Sequence, residues 1–139
     1  MPIWGAMALG GALGALARWL VGELLVDAIG STGFPWETLT VNVLGCALIG
    51  VLAPVLLGRA AWLSGFTITG FLGGFTTYSA FAEETFLLLD RGDAGGVVLA
   101  AGYVLATIAA TAIAVWIGAR VGSRVGSRIG AAGTSAGEA

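Results

Sequence analysis

The polar side chains that stand out in this otherwise apolar chain are Thr38, Asn42, Thr76, Thr77, Ser79, Tyr103, Thr107 and Thr111. Each carries a hydroxyl or amide donor, and few charges lie near them in sequence. Donors without a fixed countercharge suit a small, strongly hydrated anion that must shed water and still leave. Catalysis is a poor fit, because the chain has no histidine, no nucleophile–base pair and no phosphate-cradling loop. Its single cysteine, Cys46, excludes an internal disulfide and a thiolate metal cluster. The densest polar stretch is Gly73-Gly74-Phe75-Thr76-Thr77-Tyr78-Ser79-Ala80-Phe81. Adjacent glycines cost a helix interior roughly 1 kcal/mol each relative to alanine, so the spacing predicts a helix broken at 73–77. Freed backbone carbonyls aimed at one point can coordinate a cation.

These residues need a scaffold, and the composition defines it. Of 139 residues, 58% are hydrophobic and 10% charged, with a mean hydropathy of +0.97. A soluble domain carries about 25% charged residues. The apolar stretches approach or exceed the ~18–20 residues that span a hydrocarbon core. The expected fold is an all-α integral membrane domain of four transmembrane helices, with the third broken at its centre. The formal net charge of −2 says little about partners, and nothing suggests nucleic-acid binding.

The first helix is expected over about 3–26. It reads as a retained span, because Pro2-Ile3-Trp4 lacks a positive n-region and Arg18 interrupts the apolar run. Gly10 and Gly14 form a small-residue seam on which another helix can approach closely. Arg18 costs at least ~2.5 kcal/mol at mid-membrane, so it faces protein, a wet vestibule, or snorkels to the nearer interface. After the turn at 30–35, Pro35 opens a second helix over 36–58, with Trp36 as an interface anchor. Asn42 is the one strongly polar side chain of that run past Thr38. It reads either as glue to a neighbouring helix or as a donor facing a pore.

The third helix is expected over 62–89, with Tyr78 and Phe81 sharing a face three residues apart. Glu83 and Glu84, being adjacent, point different ways. After the charged turn Asp90–Asp93 comes the fourth helix, 94–119. Tyr103, Thr107 and Thr111 recur every four residues along it, although a threonine there can also bond back to the i−4 carbonyl. Arg120, Arg124 and Arg128 continue the four-residue spacing as a frayed basic extension meeting lipid headgroups. Residues 129–139 read as a disordered tail.

Four spans place both termini on one side with Arg59, Arg120, Arg124 and Arg128; Arg91 lies opposite, and Arg18 leans that way. This favours termini inside, but the bias nearly vanishes without the tail, as expected of a protein inserted in both orientations. Four spans are also too few to wall a pore comfortably, so a dimer is expected.

Three segments carry a family resemblance: Gly10-Gly11-x-x-Gly14-Ala15-x-x-Arg18, Thr38-Leu39-x-Val41-Asn42-x-x-Gly45 and Gly70-Phe71-x-Gly73-Gly74-Phe75-Thr76-Thr77-Tyr78-Ser79-x-Phe81-x-x-Glu84. Together they resemble the motifs of the Fluc (CrcB) fluoride channels, over roughly 10–118. The resemblance implies an antiparallel, dual-topology dimer in a prokaryotic plasma membrane, with two fluoride pores and a central structural sodium ion. It implies pore-side roles for Asn42, Thr38, Ser79, Tyr103, Thr107 and Thr111. Tyr78 and Phe81 match the ring-edge pair, and Gly73 and Thr76 the backbone carbonyls that hold sodium. Arg18 and Glu84 match the vestibule arginine and the third-helix glutamate. Two positions depart from the pattern: Tyr78 stands where phenylalanine is usual, and Glu37 where glycine is common. The family also includes paired genes whose products form heterodimers, which leaves a paralogous partner open.

A different transport class, the small dual-topology multidrug or guanidinium exporters, needs a carboxylate deep in the first helix, where this chain has Arg18. A non-transporting membrane scaffold would account for the glycine seams but not for the clustered donors.

Overall fold

The computed structural model describes residues 2–30, 33–56 and 58–135, with side chains through Ile129. Among these residues the chain is helical apart from short turns, with no strand. In chain order the helices are α1 (Ile3–Ile29), α2 (Trp36–Leu56) and α3 (Ala61–Ser64), then a π-wound stretch, Gly65–Leu72. A short α4 (Gly73–Phe75), a break, α5 (Tyr78–Leu89) and α6 (Ala94–Ser135) complete the chain. Among the described residues three helices are long and apolar enough to cross a membrane: α1, α2 and α6 through Ile129. Large apolar side chains lie bare on the outside, among them Trp4, Leu24, Val98 and Leu105, each at least two-thirds exposed. Apolar surface on this scale belongs against lipid or protein. The chain is a multi-pass membrane protein.

Glycines set the two main seams. Gly10 and Gly14 of α1 meet the backbone around Phe66 and Phe71 so closely that a Cβ on either would collide. From the opposite side, a Cβ on Gly70 would stand 2.6 Å from the Met7 carbonyl, and one on Gly74 would strike the Gly11 carbonyl. The π winding contributes here. Its i→i+5 bonding stacks Gly65 and Gly70 on one side, and a Cβ on Gly65 would press on Ile3 at 3.0 Å. In the second seam α2 packs along α6, with Gly50 against Val115 and Ala119, and Gly118 and Gly122 against Ala47 and Val51. Without a hydrophobic force between helices in lipid, such close backbone approach is what holds them.

The structure departs from expectation in three places. Gly73 and Gly74 do not break the helix: Gly73 is helical (φ −65°, ψ −35°), and Gly74 serves the α1 seam. The break falls at Thr76 (φ −76°, ψ 157°) and Thr77 (φ −145°, ψ 124°), both extended. The ends of the helices also shift. α1 continues to Ile29, and α2 ends at Leu56, before Gly58 turns the chain at φ 77°. Finally, α6 does not stop near 119 but runs to Ser135, through most of the segment expected to be disordered. Gly118, Gly122 and Gly126 pack on α2, and the hydroxyls of Ser123 and Ser127 donate to the carbonyls of Ala119 and Arg124. Part of the expected turn, Ser31 and Thr32, and the last four residues lie outside the described residues.

Candidate functional site

The break is fixed by one side chain from another helix. Asn42 of α2 accepts a 2.8 Å hydrogen bond from the Thr77 N–H and donates one of 3.0 Å to the Thr77 carbonyl. Both residues are buried. A buried backbone group left unpaired costs about 1–3 kcal/mol, so this clasp is what makes extended backbone tolerable inside the bundle. Thr77 then caps α5, its hydroxyl accepting from the Ala80 N–H at 3.2 Å. With Thr77 and Ala80 N–H groups bonded to side chains, the carbonyls of Gly73 and Thr76 have no i+4 backbone partner among the described residues. Gly73 is exposed, and a Cβ there would find nothing nearer than the Ile68 carbonyl at 3.9 Å.

Beside the break lies a cavity of about 550 Å³. Asn42, Tyr78, Phe81, Thr107 and Thr111 line it, with Thr76, Thr77 and Cys46. An asparagine amide has two N–H donors, and only one is committed to Thr77. The two threonines of α6 differ. Thr111 donates to the Thr107 carbonyl at 2.7 Å, so its hydroxyl is satisfied within the helix. Thr107 is buried, and its Oγ1 has no hydrogen-bond partner among the described residues. The rings of Tyr78 and Phe81 lie 5.9 Å apart at 44°. Tyr78 is 81% exposed, the most open aromatic ring of the described chain. The site as one chain presents it is therefore a half-lined, mostly apolar trough with a few donors.

A second cluster adjoins the trough through the contact of Tyr103 with Phe81. Thr38 and Tyr103 each donate a 2.6 Å hydrogen bond to Glu84, one to each carboxylate oxygen. Tyr103 is fully buried and touches Phe81 (5.3 Å between centroids) and the edge of Phe34 (5.6 Å, 89°). Two clefts border this cluster, one at Thr38 and one at Glu84. Arg18, Glu37, Thr38, Ser79 and Glu83 line one, of about 250 Å³. Glu37, Glu84 and Arg91 line the other, of about 280 Å³, where Arg91 donates to the Gly33 carbonyl at 2.9 Å.

Of the residues singled out from sequence, Asn42, Tyr78, Phe81, Thr107, Thr111 and Thr76 share the trough. Thr38, Glu84 and Tyr103 form the adjoining network, and Arg18 and Ser79 lie in the cleft at Thr38. Thr77 stands among the donors read from sequence, but its part in the clasp does not, and Glu37 and Cys46 carry no site role there. Thr77 is the hub of the break, and its signal was the capping pattern of a threonine before an apolar helical run. Glu37 lines both clefts, and Cys46 lines the trough.

Residues 5–119 match the family described as CrcB-like protein, Camphor Resistance (CrcB). A protein of Rhizobium etli named fluoride-specific ion channel FluC is 45% identical over 108 residues, covering 74% of this chain and 86% of its own length. Proteins of the same name from Paracoccus denitrificans (47% over 103 residues, 73% and 79% covered) and Bordetella petrii (43% over 106, 74% and 77% covered) are similar to it as well. With its broken helix clasped by Asn42 and its match over nearly all of the membrane-embedded length, this chain belongs to the CrcB family.

Proposed function

We propose that this protein is a fluoride-selective channel that lets cytoplasmic fluoride leave passively and so confers resistance to it. The observation that carries the reading is the buried, unpartnered hydroxyl of Thr107, a residue of the trough that Asn42 and Phe81 also line. A buried hydroxyl without a partner is costly; the oxygen is covered as the side chain stands, and a turn of Thr107 about χ1 toward the trough would let a passing anion satisfy it. Fluoride entering the trough must lose water. The Thr107 hydroxyl, the second Asn42 N–H and the positive ring edges of Phe81 and Tyr78 replace part of that shell. No cationic side chain is among the described residues that line the trough, so the ion is held weakly enough to move on. Arg18, half-buried in the cleft that Thr38 and Ser79 also line, draws anions toward the mouth. The relatives named above carry the same activity in their names.

The assembly we propose is an antiparallel homodimer in a prokaryotic plasma membrane, inserted in both orientations, with residues 61–89 as the third of four spans. A second copy would cover the open side of the trough, where Tyr78 is bare, and so complete two pores per dimer. A paralogous chain could take the same place. Gly73 and Thr76 would hold a structural sodium ion through their backbone carbonyls, which lack i+4 backbone partners, and Gly73 is exposed. Bound there, sodium would supply positive charge and tie the two breaks together. The reading is tested by fluoride efflux from proteoliposomes measured against chloride. Fluoride flux with little chloride flux is expected; equal transport of both ions, or none, overturns it.

A further inference from the structure

The far end of α6 carries a feature that the trough does not use. Arg120, Arg124 and Arg128 are exposed and recur every four residues, about 6 Å apart along the axis. The stripe is therefore about 12 Å long. From Ala94 to Ser135 the helix holds no acidic residue to neutralise it. Nor is this stretch loose. Gly118 and Gly122 press on the backbone of α2, and a Cβ on Gly126 would stand 3.3 Å from the Pro54 carbonyl. That packing fixes which way the arginines face, and it places Gly126 beside the last turn of α2, next to the turn that holds Arg59. Beside each arginine stands an exposed apolar neighbour, Val121, Val125 or Ile129, 40–44% exposed. At the inner end the Arg120 guanidinium lies 4.3 Å over the ring of Trp116, a residue type that favours the membrane–water interface.

A stripe of fixed cations beside a stripe of aliphatic side chains, running from the helix end toward the bilayer, has the chemistry of a phospholipid: phosphate against guanidinium, acyl chain against valine. The polar layer on each side of a bilayer is roughly 5–8 Å deep. Twelve ångströms of stripe therefore reaches through it into the upper acyl region, where the Arg120 stem lies along Trp116. We propose that Arg120, Arg124 and Arg128 form a binding surface for the headgroup of an anionic phospholipid, retained by each chain on the side of its own C-terminal helix. Arginine suits the role better than lysine, because its planar fork meets phosphate oxygens two at a time.

The test uses the full chain purified in neutral detergent. Lipid retention from mixed micelles of phosphatidylglycerol and phosphatidylcholine is read by native mass spectrometry, for the wild type and for R120Q/R124Q/R128Q. The wild type is expected to retain phosphatidylglycerol preferentially, and the triple variant to lose that preference, on the order of fivefold per arginine removed. The all-lysine triple variant, which keeps the charge, should fall between them. Inorganic phosphate at millimolar concentration should displace little of the lipid. Equal retention of both lipids by the wild type, an unchanged preference in the triple glutamine variant, or full displacement by inorganic phosphate would overturn the proposal. Unaltered fluoride efflux of the triple variant from neutral vesicles shows that it is folded, so a lost preference cannot be ascribed to unfolding.

Discussion

Asn42 and Thr77 exchange two hydrogen bonds across 35 residues of sequence, and the pair decides where the third span breaks. Neither residue alone would suffice. Thr77 offers an N–H and a carbonyl that leave the helical pattern, and Asn42 is the rare side chain that can answer both at once. Replacing Asn42 with alanine orphans both groups in a buried place, at a cost of about 1–3 kcal/mol for each. Thermal unfolding in detergent should show a drop of several degrees. Fluoride efflux should fall with it, because the same amide lines the trough. An Asn42→Ala protein with undiminished stability would show that the clasp does not set the break.

Thr107 and Thr111 are the same residue one turn apart, yet they should respond in opposite ways. Thr107→Val removes a buried hydroxyl that has no partner, so stability should hold or rise slightly. Fluoride efflux should fall about tenfold, the effect of losing roughly 1.4 kcal/mol of stabilisation at one point of the path. Thr111→Val removes a hydroxyl already bonded to the Thr107 carbonyl, so its efflux should change by less than about twofold. Stopped-flow efflux from proteoliposomes, with melting curves alongside, separates the two. Equal losses of flux would mean that the unpartnered hydroxyl has no special role.

That contrast marks where sequence reading stops. The membrane class, the glycine seam of α1 and the polar stripe on α6 follow from composition and spacing. The position of the break does not. Gly73 and Gly74 are weak helix formers by intrinsic propensity, yet both stay helical, Gly74 packed closely on α1 at Gly11. The extended residues are two threonines, and their conformation is decided by an asparagine on another helix. The repeat beyond Gly118 reads as a frayed basic extension, whereas Gly122 and Gly126 let α6 lie against α2. In each case a tertiary contact overrides a local preference, and no local pattern encodes it.

Thr38, Glu84 and Tyr103 should behave as one unit. Each hydroxyl donates to a separate oxygen of the same carboxylate. Tyr103→Phe and Thr38→Val should each cost about 1.5–3 kcal/mol, the range for hydrogen bonds to a charged group. The double variant should lose less than the sum, because a carboxylate already short of one donor has more freedom to find water. A double-mutant cycle on unfolding free energy measures this, with a coupling of about 0.5–3 kcal/mol expected. Strict additivity would show that the two donors act independently.

The neighbouring glycines of α4 offer the clearest separation of protomer from assembly. On Gly74 a methyl group would run into the Gly11 carbonyl, so Gly74→Ala must push α1 away from the broken span. Overpacking of this kind costs about 1–3 kcal/mol, and the purified protein should melt several degrees lower. On Gly73 a methyl group meets only the Ile68 carbonyl at 3.9 Å, an ordinary contact, and the residue is already helical. Alanine is the better helix former by about 1 kcal/mol, so the Gly73→Ala protomer should be as stable as the wild type or slightly more so. If the open face beside Gly73 is where a second copy and a sodium ion approach, the same variant should still lose dimer on size-exclusion chromatography and lose its fluoride flux. A Gly73→Ala protein that stays dimeric and conducts normally would place the dimer axis elsewhere, while the Gly74→Ala melting curve would test the α1 seam on its own.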